Sequence, residues 1–252
     1  MNTLTIKNVS IGEGIPKIII PLMGTTEKQI LQESEAIKAL KPDIVEWRVD
    51  VYEKAEDLEA VKDMISKLRK TLADTLFLFT FRSHKEGGGL QVEDRYYVQL
   101  LETAIRTKKI DLADVELFSE QAKALVACAE ENGVYVVMSN HDFRKTPAKE
   151  EIISRLRQMQ EYGAHIPKIA VMPNNAEDVL TLLDATLTMK TKYADRPIIT
   201  MSMAATGLVS RLAGEVFGSA CTFGAGEEAS APGQIPVQEL RSVLDILHKN
   251  TY

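Results

Sequence analysis

Cysteine is scarce in this chain: the two thiols, Cys128 in an expected helix and Cys221 in an expected strand, are isolated and have no metal-ligand company. They read as buried, reduced residues, which argues against a disulfide-framed secreted module. Long apolar runs are also missing. No segment approaches the roughly 20 apolar residues of a membrane span, so no membrane partner is expected. The opening MNTLTIKNVS lacks the basic stretch, apolar run and small-residue cleavage site of a secretory signal, and a cytoplasmic location is the expectation. Basic charge is short as well: 30 Lys and Arg stand against 36 Asp and Glu, a net charge of −6, with no long basic tract. Nucleic acid is therefore not an expected partner. A negative protein can still bind a small anion where arginines converge in a cleft. No linker rich in Gly, Pro or Ser, no low-complexity tract and no short repeat divides the chain.

What is present is alternation. A chain of 252 residues has the size at which one core stops growing and the usual length of an eight-stranded α/β barrel, so a single domain over 1–252 is expected. Short β-branched or apolar runs lie at Lys17–Met23, Asp43–Asp50, Thr75–Phe81, Asp111–Leu117, Val134–Asn140, Lys168–Met172, Pro197–Met203 and Ser219–Phe223. Helical periodicity separates most of them: 26–40, 58–68, 94–107, 120–132 stopped by Gly133, 147–162 stopped by Gly163, 176–191 and 237–248. Eight strands with crossover helices predict a (β/α)8 TIM barrel. A doubly wound open sheet is the alternative, since periodicity does not give strand order. Leu4–Ile15 alternates around Gly12 and Gly14, as a small hairpin that could close the barrel bottom. In 214–234 Gly218, Gly224, Gly226 and Gly233 with Pro232 break any helix, and from Gly224 onward the stretch reads as a mobile loop after the last strand.

Strands of a parallel barrel are covered outside and packed inside, so polar residues in them mark a site. In the second strand Glu46, Arg48 and Asp50 share one parity and Val45, Trp47 and Val49 the other. The alternative is a solvent-facing antiparallel strand. The third strand ends in Phe81-Arg82 and enters a charged loop with Glu86 and three glycines, at the end where barrel sites lie. These glycines match no nucleotide-binding pattern. The fifth strand delivers His141 to that same end, whereas His84, His165 and His248 have no such placement. The sixth run opens on Lys168, which is either a buried, nucleophilic amine with its pKa lowered by desolvation and neighbouring cations, or an exposed residue at a strand start. After the seventh strand, Arg211 on a short helix offers a fork of donors suited to a carboxylate, or is a surface charge. Asp114 and Glu116 share a face of the fourth strand.

Together these residues resemble the Schiff-base-forming, type I 3-dehydroquinate dehydratases. The likeness rests on Glu46-Trp47-Arg48-Val49-Asp50, Phe81-Arg82 with Glu86-Gly87-Gly88, Ser139-Asn140-His141-Asp142-Phe143, Pro167-Lys168-Ile169-Ala170, Met201-Ser202-Met203, Gly207-Leu208 with Ser210-Arg211, and Ser230-Ala231-Pro232-Gly233-Gln234. The resemblance implies a homodimeric barrel with an N-terminal hairpin, no metal or organic cofactor, and 3-dehydroquinate as small-molecule substrate. It implies that Lys168 forms an imine, His141 moves protons and Glu86 orients His141. It also implies that Arg211 clamps a carboxylate, that Glu46, Arg48 and Arg82 hold ring hydroxyls, and that Ser230 and Gln234 close over the substrate. Met201, Met203 and Phe223 would form an apolar wall. Pro21 departs from the pattern, since relatives often carry a hydroxyl there. The rival readings are a lysine-imine aldolase and a non-catalytic carboxylate-binding barrel.

Overall fold

The computed structural model describes residues 3–226 and 234–251. The chain starts with an antiparallel hairpin, β1 (Leu4–Ile6) and β2 (Val9–Ile11), and continues into the first barrel strand, β3 (Lys17–Leu22). Strands and helices then alternate: α1 (Glu27–Ala39), β4 (Ile44–Arg48), α2 (Leu58–Leu72), β5 (Leu76–Thr80), α3 (Asp94–Arg106), β6 (Leu112–Glu116), α4 (Ala122–Asn132), β7 (Tyr135–Asp142), α5 (Lys149–Glu161) and β8 (Ile166–Val171). The last units are α6 (Ala176–Thr188), β9 (Ile199–Ser202), the short helices α7 (Leu208–Leu212) and α8 (Gly214–Phe217), β10 (Cys221–Phe223) and α9 (Val237–Thr251). No described helix is long and apolar enough to cross a membrane.

Strands β3 to β10 are parallel; β3 to β9 pair each with the next in chain order, and β10 pairs back onto β3 from Cys221↔Lys17 to Phe223↔Ile19. The seam between β9 and β10 is joined by the bridge Ile198↔Ser219, with Ala220 N donating to Ile198 O at 2.8 Å. A sequential order whose ends meet is a barrel, because a doubly wound sheet reverses its order at a switch point. The open-sheet alternative is thereby excluded.

The two faces of the strands feed two cores. Val45 and Trp47 on β4, Phe77 and Phe79 on β5 and Val136 and Met138 on β7 point outward into the helical layer, with Leu68, Leu100 and Leu156. Ile44, Leu76, Leu78, Leu112, Val137, Ile166 and Ile199 point inward and fill the lower barrel. Ile6 and Ile11 of the hairpin pack into that inner cluster at 4% and 0% exposure. Full burial of such side chains stabilises by roughly 1.5–3 kcal/mol each, enough to hold a two-stranded hairpin that is marginal alone. Lys7 Nζ adds an ion pair to Asp111 Oδ1 at 2.8 Å.

Helix ends follow local chemistry. Thr26 and Gln29 form a capping box on α1, and Asp57 caps α2 by accepting from Glu59 N and Ala60 N. Gly133 and Gly163 follow α4 and α5 at φ 71° and 89°, as expected of stop residues. Several expectations are corrected. The hairpin turn is at Lys7-Asn8, with Lys7 at φ 52°, and not at Gly12 and Gly14, because the Ile6↔Val9 pair leaves room for two residues. The stretch from 214 is not free of helix, since Gly214–Phe217 form the single turn of α8, which ends at Gly218. The segment after β10 is anchored at both ends: Gly224 N donates to Ile19 O at 3.0 Å, and Ala225 N to Ile235 O at 2.8 Å. Residues 227–233 lie outside the described residues, and with them Ser230 and most of the expected loop.

Candidate active site

At the carboxyl ends of the barrel strands lies a cavity of about 290 Å³. Among its lining residues are Glu46, Arg48, Arg82, Glu86, His141 and Lys168, joined by Met201, Met203, Arg211, Phe223 and Gln234. The structure thus gathers every expected site residue among those described around one space.

Lys168 is the third residue of β8, not its first, and is 3% exposed, which excludes the exposed-end reading. Its Nζ stands 3.4 Å from Asp114 Oδ2, 4.0 Å from Glu46 Oε1 and 4.7 Å from the centre of the Phe223 ring. The nearest charges are therefore carboxylates rather than the cations expected from sequence. Strand parity explains the placement. Glu46 shares the inner face with Ile44, while Val45 and Trp47 face the helices, so the antiparallel surface-strand reading also fails. Asp50 lies past the strand in a single 3-10 turn and holds Arg48 in a bidentate pair, with both oxygens at 2.8 Å.

Arg82 is the hub beneath the cavity. Its Nη2 meets Asp114 Oδ2 at 2.9 Å, and its Nη1 meets Glu116 Oε1 at 2.8 Å, Ser139 Oγ at 2.9 Å and Glu86 Oε2 at 3.6 Å. Burial opposes its charge, but the surrounding carboxylates prevail and hold its pKa well above the usual value. Asp114 is fully buried, yet Arg82, Lys168 and the Ser139 hydroxyl keep its pKa below the ordinary carboxylate value. Buried charges persist only when paired in this way. Arg82 thus pairs with protein carboxylates while still lining the cavity.

Glu86 sits in the 3-10 turn 84–86, brought back over the barrel mouth by a glycine turn in which Gly88 N donates to Ser83 O at 2.8 Å. A Cβ on Gly88 would fall 1.8 Å from Arg82 O, so no side chain fits there. Glu86 Oε2 accepts from His141 N at 2.9 Å and stands 2.9 Å from His141 Nδ1, and Oε1 accepts from Asn140 Nδ2 at 3.0 Å. Burial pushes Glu86 up to about 7, with Arg82 pulling it back and Glu116 adding to the rise. His141, which lies within β7 rather than after it, has its pKa pushed well below the usual histidine value by burial and by Arg82, Lys168 and Arg48. It is neutral at neutral pH. With Glu86 ionised, Nδ1–H donates to the carboxylate and the Nε2 lone pair is left for the cavity.

Arg211 on α7 is 3% exposed, and burial alone pushes its pKa down to about 10. Its helix is fixed by Ser210 Oγ, which accepts from Ser202 N at 2.8 Å and donates to Gly207 O at 2.7 Å. Met201, Met203 and Phe223 supply the apolar wall. Pro21 lies opposite Glu46 in the ladder and is buried. Sequence reading missed Thr80, whose hydroxyl donates to Glu46 Oε1 at 2.9 Å, and the bond from Asn140 to Glu86. A polar residue at the last position of a barrel strand was the available signal for Thr80. Nothing local in the sequence signals the other.

A buried lysine, a histidine held against a carboxylate and a buried arginine gather around one barrel-mouth cavity, the place where enzymes of the (β/α)8-barrel class carry their active sites. The family profile described as type I 3-dehydroquinase matches residues 18–251, and the chain belongs to that family. It is 78% identical over 253 residues to the 3-dehydroquinate dehydratase of Bacillus subtilis, covering 100% of this chain and 99% of the relative. The type I enzyme from Clostridium difficile, solved with covalently modified comenic acid, superposes with a TM-score of 0.95 at 51% identity, covering 98% of each chain. The enzyme from Geobacillus kaustophilus superposes at 0.97 with 39% identity, covering 100% of this chain and 98% of that one. Membership in a dehydratase family sets aside the aldolase and the non-catalytic barrel.

Proposed function

We propose that the protein dehydrates 3-dehydroquinate to 3-dehydroshikimate by syn elimination through a lysine imine, in the shikimate pathway. The observation that carries this reading is the fully enclosed Lys168 amine in the same cavity as His141 and Arg211. Lys168 Nζ adds to the C3 ketone and a water is lost, giving a cationic imine. The imine draws electrons from C2, and His141 Nε2 takes the C2 proton to leave an enamine. The enamine electrons then expel the C1 hydroxyl, which leaves as water with the proton returned by the imidazolium. Hydrolysis of the imine releases product and restores the amine. One histidine serving both steps places both events on one ring face. The covalently modified ligand in the Clostridium difficile enzyme supports covalent reactivity in this family.

Arg211 is assigned the substrate carboxylate. Its guanidinium lines the cavity, and its fork of donors matches the two oxygens of a carboxylate. Arg211→Ala should raise KM by roughly 10- to 150-fold, the size of a lost charged hydrogen bond of about 1.5–3 kcal/mol, with a smaller fall in kcat. Steady-state kinetics on the pure enzyme read this directly. Glu46, Arg48 and Arg82 are assigned to the ring hydroxyls, and Gln234 with Ser230 to closure over the substrate. No metal or organic cofactor enters this chemistry. One barrel domain over 1–252, a homodimer and a cytoplasmic location complete the reading and rest on the family resemblance.

Glu86 sets the pH dependence. Below about 7 it takes a proton, His141 Nδ1 then accepts from it, and the imidazole proton moves to Nε2, where the lone pair was needed. The kcat/KM profile should therefore fall as pH drops through about 7, with Glu86→Gln removing that limb at a large cost in rate. A Glu86→Gln profile with the limb in its original place would reassign the titration to another group.

The overall reading is tested by intact mass after mixing the enzyme with 3-dehydroquinate and borohydride. Reduction should leave a ligand adduct that peptide mapping places on Lys168. A folded enzyme that turns over substrate and never yields an adduct would refute the imine route.

A further inference from the structure

Asn140 stands on β7 between Ser139 and His141, and strand alternation directs it to the opposite face from those two. It is 4% exposed, and both ends of its amide are engaged. Arg155 Nη1, from α5, donates to Oδ1 at 2.8 Å, and Nδ2 donates to Glu86 Oε1 at 3.0 Å. The two ends of an asparagine amide have nearly the same shape, so hydrogen-bond partners alone decide which way it faces. A guanidinium carries only donors. The end facing Arg155 must therefore be the oxygen, and the end facing Glu86 must be the NH2. Arg155 is itself held in place by Glu151 one turn earlier and by the Phe118 ring, 5.6 Å from its guanidinium carbon.

We propose that Arg155 is a positioning residue for the dehydration: it keys the Asn140 amide so that Glu86 receives a donor and remains the acceptor that orients His141. The proposal rests on the Glu86–His141 reading given above. Without Arg155 the amide can turn over and place Oδ1 against Glu86, an arrangement that is stable only when Glu86 is protonated. Protonated Glu86 puts the His141 proton on the wrong nitrogen. The charged groups facing Glu86 are Arg82 at the end of β5, Glu116 and Asp114 on β6 and His141 on β7, while His84 and Lys85 share its own turn. The adjoining cavity also carries Asp94 and Asp142. Arg155 is a cation too, so its loss could act on Glu86 through space, and the test must separate charge from keying.

The acid limb of kcat/KM against pH makes that separation. In Arg155→Met the limb should move to higher pH by roughly half to one unit, while borohydride trapping on Lys168 persists. In an Asn140→Ala background the same substitution should move the limb no further, because the amide it acts through is gone. Arg155→Lys, which keeps a donors-only group, should recover most of the parent profile. An unmoved limb in Arg155→Met overturns the proposal, and so does a shift of equal size in the Asn140→Ala background, which would mean charge alone. Should Arg155→Met fail to fold, Arg155→Gln makes the same comparison. Glu86→Gln is run beside them. If it leaves the limb where it was, the Glu86–His141 reading has failed; if it removes the limb and Arg155→Met does not move it, only the keying role has failed.

Discussion

Lys168→Met should lower turnover by about 10^4-fold or more and abolish the borohydride-trapped adduct, while leaving the barrel folded. The rate loss follows from removing the only group assigned to form the covalent intermediate; no neighbouring side chain can replace an amine in imine chemistry. The fold should survive because the carboxylate that Lys168 approaches does not depend on it. Asp114 keeps Arg82 at 2.9 Å and the Ser139 hydroxyl at 2.6 Å, so it is not left as an unpaired buried charge. Methionine also fills the stem's volume beside Phe223. Circular dichroism melting should therefore show a cooperative transition, and mass spectrometry should show no adduct. A variant that keeps appreciable turnover would remove Lys168 from the chemistry altogether.

His141→Ala should separate the two halves of the reaction. General acid–base catalysis by one positioned group is worth on the order of 10^2- to 10^4-fold, and here one imidazole serves both proton removal and hydroxyl departure, so the upper end is expected. Imine formation precedes both steps and needs only Lys168 and a bound ketone. The variant should therefore accumulate the adduct at a near-normal yield while turning over slowly. The structure adds a second expectation. Removing the ring frees Glu86 Oε2 of one of its two His141 donors, so Glu86 becomes easier to protonate. Single-turnover mixing with borohydride at timed intervals measures the first half, and steady-state product absorbance the second. Near-normal turnover would refute the role given to His141.

Much of the fold was legible because strand and helix periodicities are local properties. Val45 and Trp47 alternate with Glu46 and Arg48, and that alternation divides the strand into an apolar and a polar face. The candidate residues were legible for the same reason: polar groups near the carboxyl ends of expected strands have few structural explanations in a parallel barrel. Boundaries were less so. His141 fell just outside its expected strand and Lys168 at the first position of its own, because the strand β7–β8 ladder, which extends to Asp142↔Val171, is set by the neighbour and not by the residue. The hairpin turn was misplaced because Gly12 and Gly14 carry a stronger turn signal than Lys7-Asn8, and burial of Ile6 and Ile11 prevailed over it.

The sequence by itself determined the alternation of strands and helices, the parity that groups polar residues on one face of a strand, and a set of motifs specific enough to point to one family. Tertiary structure alone decided which charges meet. Asp114 and Lys168 are 54 positions apart, Arg82 and Ser139 are 57 apart, and Glu86 and His141 are 55 apart, yet each pair is in contact beneath one mouth. Closure of the barrel creates those contacts, since it brings strand ends together irrespective of their spacing in the chain. The same closure decided that Lys168 faces carboxylates, that Arg82 pairs with Asp114 and Glu116, and that burial raises Glu86 and lowers His141. Desolvation and pairing depend on what surrounds a group in space, and a linear pattern of residues does not contain that information.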